Sequence, residues 1–168
     1  MTGNPIASEF IAAREFDAPR DVLWTCFTGV ERMKQWWGPK GFTVLSAKMD
    51  LRPGGLFHYS MRAPDGKVMW GKFAYREIVP QERIVFLNSF SDEAGGITRH
   101  PFHPTWPLQL RTIFTFDQLP SGRSKFTLHW SPYEASAEER KTFEAGHDSM
   151  TQGWTGTLDQ LEAYLAKP

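Results

Sequence analysis

The sequence predicts an α+β domain in which a strongly curved antiparallel sheet of about six to seven strands wraps around a long C-terminal helix. Two short helices follow the first strand. The first observation is the run from Ser136 to Leu165, where Phe143, Met150, Trp154, Leu158, Leu161 and Leu165 are separated by 7, 4, 4, 3 and 4 residues. That spacing keeps them on one stripe of a 3.6-residue helix. The second is period-two alternation through most of the preceding chain, the mark of strands with one buried face. The third is the shortness of the turns between those strands, which forces neighbours to run antiparallel. A bent sheet packed by its concave face on the helix is the economical arrangement of these parts.

The elements follow in order. Residues 1–8 read as a disordered lead-in and residues 9–166 as one domain. FIAAREF (10–16) is the first strand. Asp17 and Pro19 mark a helix start, an oxygen cap followed by proline in the first turn. Val22, Leu23, Cys26 and Phe27 then bury one side of a short helix, Gly29 breaks it, and VERMKQWW forms a second that ends before Gly38-Pro39. Strands are expected from Phe42 to Leu51, Leu56 to Arg62, Val68 to Val79 and Arg83 to Phe90. Pro53-Gly54-Gly55, Pro64-Asp65-Gly66 and Pro80-Gln81-Glu82 supply the turns.

Residues 91–106 form a long polar loop of the kind that often serves as a lid or mouth. Leu108, Leu110, Thr112, Phe114 and Phe116 share one face of the next strand. After Pro120-Ser121-Gly122, Phe126, Leu128 and Trp130 share one face of the last. Ser136 and Glu139 have the spacing of a capping box at the start of the long helix.

Composition narrows the function classes. The 168 residues carry 19 basic and 19 acidic side chains, for zero formal charge. Nucleic acid and anionic membrane both reward a clustered positive excess, so neither is expected as a partner. No run of about 18 apolar residues suggests membrane insertion and no basic-then-apolar leader suggests secretion, so a cytoplasmic location is expected. The single cysteine, Cys26, excludes an intrachain disulfide framework, and its apolar helical setting reads as a structural thiol. The outlier is aromatic content, with 7 Trp, 13 Phe and 4 Tyr, which suits both cores and the walls of ligand cavities.

This order of elements, with QWWGP at 35–39, DLRPGGLFHYSMRAPDGKVMWGKFAYREIVPQERIVF at 50–86 and QGWTGTLDQLEAYL at 152–165, resembles the START-like (SRPBCC) superfamily. Within it, the chain is most similar to homologues of the activator of heat-shock protein 90 ATPase, of the single-domain bacterial type. The resemblance covers residues 9–166 and implies a helix-grip (START/Bet v-like) fold, often with an apolar cavity between sheet and helix. Superfamily branches bind lipids, steroids or polyketides, and some catalyse cyclisation or hydroxylation. The two-domain cochaperones of the family carry an extra N-terminal domain for which this chain has no room.

The candidate site follows from the expected concave face. Trp37, Phe57, Tyr59, Met61, Phe73, Phe114, Trp130, His147, Met150 and Trp154 are the expected ligand-binding wall, around a hydrophobic small molecule. Phe116 and Leu128 share the face, and Asn88 is a further polar candidate. Trp36 and Trp37 cannot both point the same way. Either they plug the short helices against the sheet, or one of them covers the cavity entrance with the loop at 91–106. His58 and His129 alternate to the outer face. His100 and His103 have a suggestive i, i+3 spacing, but in an extended loop such residues do not converge and no further ligand stands near, so no metal is expected. No cofactor is expected either, since phosphate-cradling loops and nucleophile elbows are missing from the sequence.

Three functions are compatible with these residues. The first is small-molecule binding in the cavity. The second is a cyclase-like or hydrolytic enzyme using the same cavity, with His147 or Glu77 as acid or base. The third is a chaperone ATPase-stimulating interaction module. A homodimer through a strand edge or helix is compatible with the sequence, which does not decide it.

Overall fold

The computed structural model describes residues 9–167; the expected lead-in at 1–8 lies outside them. Strand β1 (Phe10–Phe16) leads into helices α1 (Arg20–Thr28) and α2 (Val30–Trp36). Six strands follow: β2 (Thr43–Met49), β3 (Leu56–Arg62), β4 (Val68–Val79), β5 (Arg83–Ser91), β6 (Ile97–Thr98) and β7 (Leu110–Gln118). Strand β8 (Ser124–Pro132) and helices α3 (Ala137–Ala145) and α4 (His147–Leu165) complete the chain. The sheet order is β1-β8-β7-β5-β4-β3-β2, antiparallel throughout, with β6 paired only to the end of β5. The result is an open, curved sheet gripping α4, the helix-grip arrangement.

Alternation explains which face is buried. Phe57, Tyr59 and Met61 on β3 pair with Phe73, Gly71 and Met69 on β4, so one face of that hairpin is aromatic and apolar. Phe86, Phe114 and Leu128 continue the same face across the sheet, and all three are buried. At the closed end, α1 and α2 seal the core. Phe27 stacks on Phe126 at 4.7 Å, and the Trp36 indole N–H donates to the Cys26 carbonyl oxygen at 3.0 Å. Cys26 is fully buried, and burial pushes its thiol up to about 11, a structural thiol rather than a nucleophile. Asp17 makes no cap: Pro19 occupies the N-cap position of α1, and the Arg20 N–H donates instead to the Gln118 amide oxygen at 3.0 Å.

The C-terminal run is two helices rather than one. Gly146 leaves helical geometry (φ −94°, ψ 6°) and ends α3, its N–H bonding back to the Phe143 carbonyl oxygen. Glycine alone does not explain the break, since Gly153 and Gly156 stay helical. What separates them is docking of α3. Trp106 packs on Phe143 at 5.5 Å and the Thr105 and Thr142 hydroxyls bond at 2.8 Å, turning α3 toward the loop before β7. The capping box forms as expected, with the Ser136 hydroxyl accepting from the Glu139 N–H at 3.1 Å and Glu139 accepting from the Ser136 N–H at 2.9 Å. No described helix is long and apolar enough to cross a membrane.

Candidate functional site

Between the concave face and α4 lies a cavity of about 630 Å³. Trp37, Tyr59, Met61, Phe73, Phe114, Trp130, Met150 and Trp154 line it. Trp154, one turn beyond Met150 on α4, is the hub. Its ring lies 5.7 Å from Trp37, 5.7 Å from Trp130 and 6.2 Å from Phe114.

Two glycines shape the cavity. On β4, a Cβ at Gly71 would stand 2.6 Å from the Tyr59 hydroxyl oxygen, so only glycine lets the Tyr59 ring lie across that strand. On α4, a Cβ at Gly153 would meet no heavy atom within 4 Å. The space above Gly153 is the cavity itself.

The Trp37 wall is held by its own turn. Gly38 has φ +105°, and a Cβ there would come within 2.7 Å of the Met61 sulfur. From α4, the Gln160 amide donates to the Gly38 carbonyl oxygen and, at 3.3 Å, to that of Trp36. Both tryptophans are therefore interior. Trp36 packs edge-on to Phe27 in the helical core, while Trp37 faces the cavity.

The mouth is built by the segment from Arg99 to Leu108, with His100, His103, Trp106 and Leu108 among the lining residues. Arg99 bonds to Glu139 on α3, and Glu139 is held below the usual carboxylate range by the Ser136 backbone bond and by Arg99. At the tip, Phe102 is 65% exposed and meets the Lys67 ammonium of the β3–β4 turn at 5.3 Å. The segment thus bridges α3 and the β3–β4 hairpin.

Contrary to the extended-loop expectation, the His100 and His103 rings converge, at 4.7 Å. The cause is local: the Phe102 N–H bonds to His100 Nδ1 and the Trp106 N–H to the His103 carbonyl oxygen, closing a tight turn. Burial, then the His103 charge, depresses the His100 pKa. No group of three or more His, Cys, Asp or Glu residues converges as a metal site among the described residues. Leu108 lies before β7, at the mouth, rather than on the strand face with Leu110.

Polar groups are a minority in the wall, and among them the buried Ser89 hydroxyl has no hydrogen-bond partner. Tyr59 is enclosed by protein yet keeps accessible surface because it borders the cavity, and burial pushes its hydroxyl up to about 12. The Trp37 indole N–H lies near that hydroxyl and partly opposes the rise, but its geometry makes no proper hydrogen bond to any group. Asn88 accepts a hydrogen bond from the buried Thr112 hydroxyl. Among the described residues lining the cavity there is no Asp, Glu, Lys or Arg.

Three expected site residues stand elsewhere. Phe57 is fully buried beneath Tyr59, stacked at 4.9 Å, and lies in the core rather than the cavity wall. His147 is the first residue of α4. The break at Gly146 resets the helical phase, and its ring packs between Phe10 at 5.6 Å and Phe143 at 5.4 Å, away from the cavity. Glu77 follows a β-bulge on β4 between Tyr75 and Glu77. The bulge flips the alternation, so Glu77 leaves the Phe73–Tyr75 face and pairs with Arg83 at 2.8 Å on the exposed side. That bond to Arg83 lowers its pKa. His58 and His129 lie on the outer face, His58 stacked on Trp70 at 4.9 Å and His129 3.4 Å from Glu9.

Sequence reasoning did not single out Gly71 or Gly153 as site residues. A glycine within each regular element was the available signal, since it marks close approach or missing packing.

Residues 17–166 match the family model described as activator of Hsp90 ATPase homolog 1-like protein. No curated protein matches the chain. Among solved structures, protein Ms6760 from Mycobacterium smegmatis is 22% identical with a TM-score of 0.77, over 99% of this chain and 96% of that one. A protein from Arthrobacter aurescens is 24% identical with a TM-score of 0.77, over 99% and 91%. A protein from Nitrosomonas europaea is 23% identical with a TM-score of 0.73, over 94% and 93%. At these identities the likeness is one of fold.

Proposed function

The chain belongs to the activator of Hsp90 ATPase homolog 1-like family, and from that premise we propose that it binds an apolar or aromatic small molecule between the sheet and α4. One observation carries the reading: a cavity of about 630 Å³, walled by aromatic side chains, sits where Gly153 leaves the long helix bare. That volume falls within the range of about 300–1,000 Å³ typical of small-molecule sites. A glycine inside a helix costs about 1 kcal/mol relative to alanine. Here no packing neighbour requires it, so the open space is its evident use.

The alternatives find less support. Neither His147 nor Glu77 borders the cavity, so acid–base chemistry by either on a cavity-bound molecule lacks geometry. A partner-protein role of the kind in the family's name needs a contiguous apolar surface. Exposed apolar side chains lie on several elements, among them Ile11 on β1, Leu45 on β2, Val68 on β4 and Phe102 at the mouth.

Native mass spectrometry of gently purified protein, followed by denaturation and mass analysis of what is released, tests the reading. A stoichiometric apolar molecule is the expected result. A protein of bare sequence mass that also takes up no added aromatic compound sinks it.

A further inference from the structure

The cavity wall carries chemistry that restricts what fits. It holds polar hydrogens without protein acceptors, and no Asp, Glu, Lys or Arg. The Trp37 side chain is 8% exposed and its Nε1 has no hydrogen-bond partner. An indole nitrogen can only donate, so this group calls for an acceptor. The Tyr59 hydroxyl borders the same space, above Gly71. Both rings stand edge-on to Phe73, Trp37 at 5.5 Å and Tyr59 at 5.9 Å. Asn88, the cross-strand partner of Phe73, takes the Thr112 hydroxyl on its oxygen and leaves its amide NH2 without a protein partner. Three donors thus gather around Phe73.

Leaving a buried donor unpaired costs free energy, and an acceptor on the ligand recovers it. A carboxylate would also accept, but no Lys or Arg lines the cavity to offset the desolvation of its charge, and the two lining histidines, His100 and His103, stand at the mouth.

We propose that the cavity selects a neutral, largely aromatic molecule bearing a hydrogen-bond acceptor of the carbonyl type, held by the Trp37 N–H and the Tyr59 hydroxyl. This rests on the cavity being a ligand site, and the test separates the two claims.

The experiment is calorimetric titration of the full chain at neutral pH with three probes of one shape: 2-acetylnaphthalene, 2-isopropylnaphthalene and 2-naphthoate. In a purely apolar cavity the hydrocarbon would bind tightest, because a buried carbonyl without a donor is penalised. With the donors present, the ketone is expected to bind about tenfold tighter than the hydrocarbon, the equivalent of one or two net hydrogen bonds. The naphthoate is expected to be the weakest.

Tyr59→Phe and Trp37→Phe each remove a donor and keep an aromatic ring. Each should lower ketone affinity severalfold more than it lowers hydrocarbon affinity, a split that a loss of folding cannot produce. Equal affinity for ketone and hydrocarbon, or ketone binding indifferent to Tyr59→Phe, overturns the donor assignment while the cavity reading stands. Tightest binding of naphthoate overturns neutrality. No binding of any probe overturns the cavity reading, and this one with it.

Discussion

Substitution of Gly153 separates a cavity kept open for use from a defect in packing. Gly153 lies in the interior of the 19-residue helix α4, and an added Cβ meets nothing within 4 Å. Gly153→Ala should therefore recover the helix propensity difference without a clash, about 1 kcal/mol of added stability. For a chain of this size that raises Tm by about 2–4 °C. Gly153→Leu extends an apolar side chain into the 630 Å³ space. Burying such a side chain is favourable by up to about 1.5–3 kcal/mol where room exists, so this variant should be at least as stable as the parent. It should also occupy the volume a ligand needs. Thermal unfolding by circular dichroism reads the first effect, and titration with 2-acetylnaphthalene the second. Gly153→Ala that destabilises, or Gly153→Leu that binds the probe as tightly as the parent, refutes the reasoning.

Further outcomes follow from other contacts. Trp154→Ala, at the centre of four aromatic contacts, should cost about 3–5 kcal/mol in denaturant unfolding and abolish probe binding; unchanged stability and affinity would contradict its central place. Gly71→Ala forces the Tyr59 ring off β4, since its Cβ would stand 2.6 Å from the hydroxyl, and should destabilise by about 1–3 kcal/mol. Tyr59→Phe cannot relieve that cost, because the ring carbon Cζ is also only 2.7 Å away. Ser136→Ala removes one arm of the capping box and should cost about 1 kcal/mol, read by thermal unfolding. Alkaline pH should unfold the protein. Burial raises Cys26 from 9.0 to about 11 and Tyr59 from 10.0 to about 12. Folding thus favours the neutral forms while the unfolded chain ionises first. Stability is complete below pH 9 and falls between pH 9 and 12, by about 2–3 kcal/mol for each group. Urea midpoints that stay flat across that window would contradict the burial of both groups.

Much of the fold was legible because alternation and turn chemistry agree. In the β3–β4 hairpin, Pro64-Asp65-Gly66 separates two alternating runs, and the strands end where those runs end. The same alternation places Tyr59, Met61, Phe73 and Phe114 on the concave face. Where periodicity is interrupted, the residues after the interruption leave the face that the period assigns. Glu77 lies beyond a bulge that no local residue announces, which takes it off the Phe73–Tyr75 face and into an exposed ion pair. His147 lies beyond the Gly146 break, whose cause is the distant docking of Trp106 and Thr105 on α3. The convergence of His100 and His103 depends likewise on backbone bonds within an irregular segment, which carries no period to read. Phe57 was assigned to the correct face, but its depth along the strand is a matter of tertiary packing under Tyr59.

The seven tryptophans supply the most direct test of the ligand cavity. In the protein labelled with nitrogen-15, each indole N–H gives its own nuclear magnetic resonance signal. Trp37, Trp70, Trp106, Trp130 and Trp154 line the cavity, whereas Trp24 and Trp36 pack around Phe116 and Phe27 at the closed end. Addition of 2-acetylnaphthalene should shift the Trp37, Trp130 and Trp154 indole signals in a saturable way, Trp37 most of all, and leave those of Trp24 and Trp36 in place. Signals that do not move, or saturable shifts confined to Trp24 and Trp36, would contradict a ligand site between the sheet and α4.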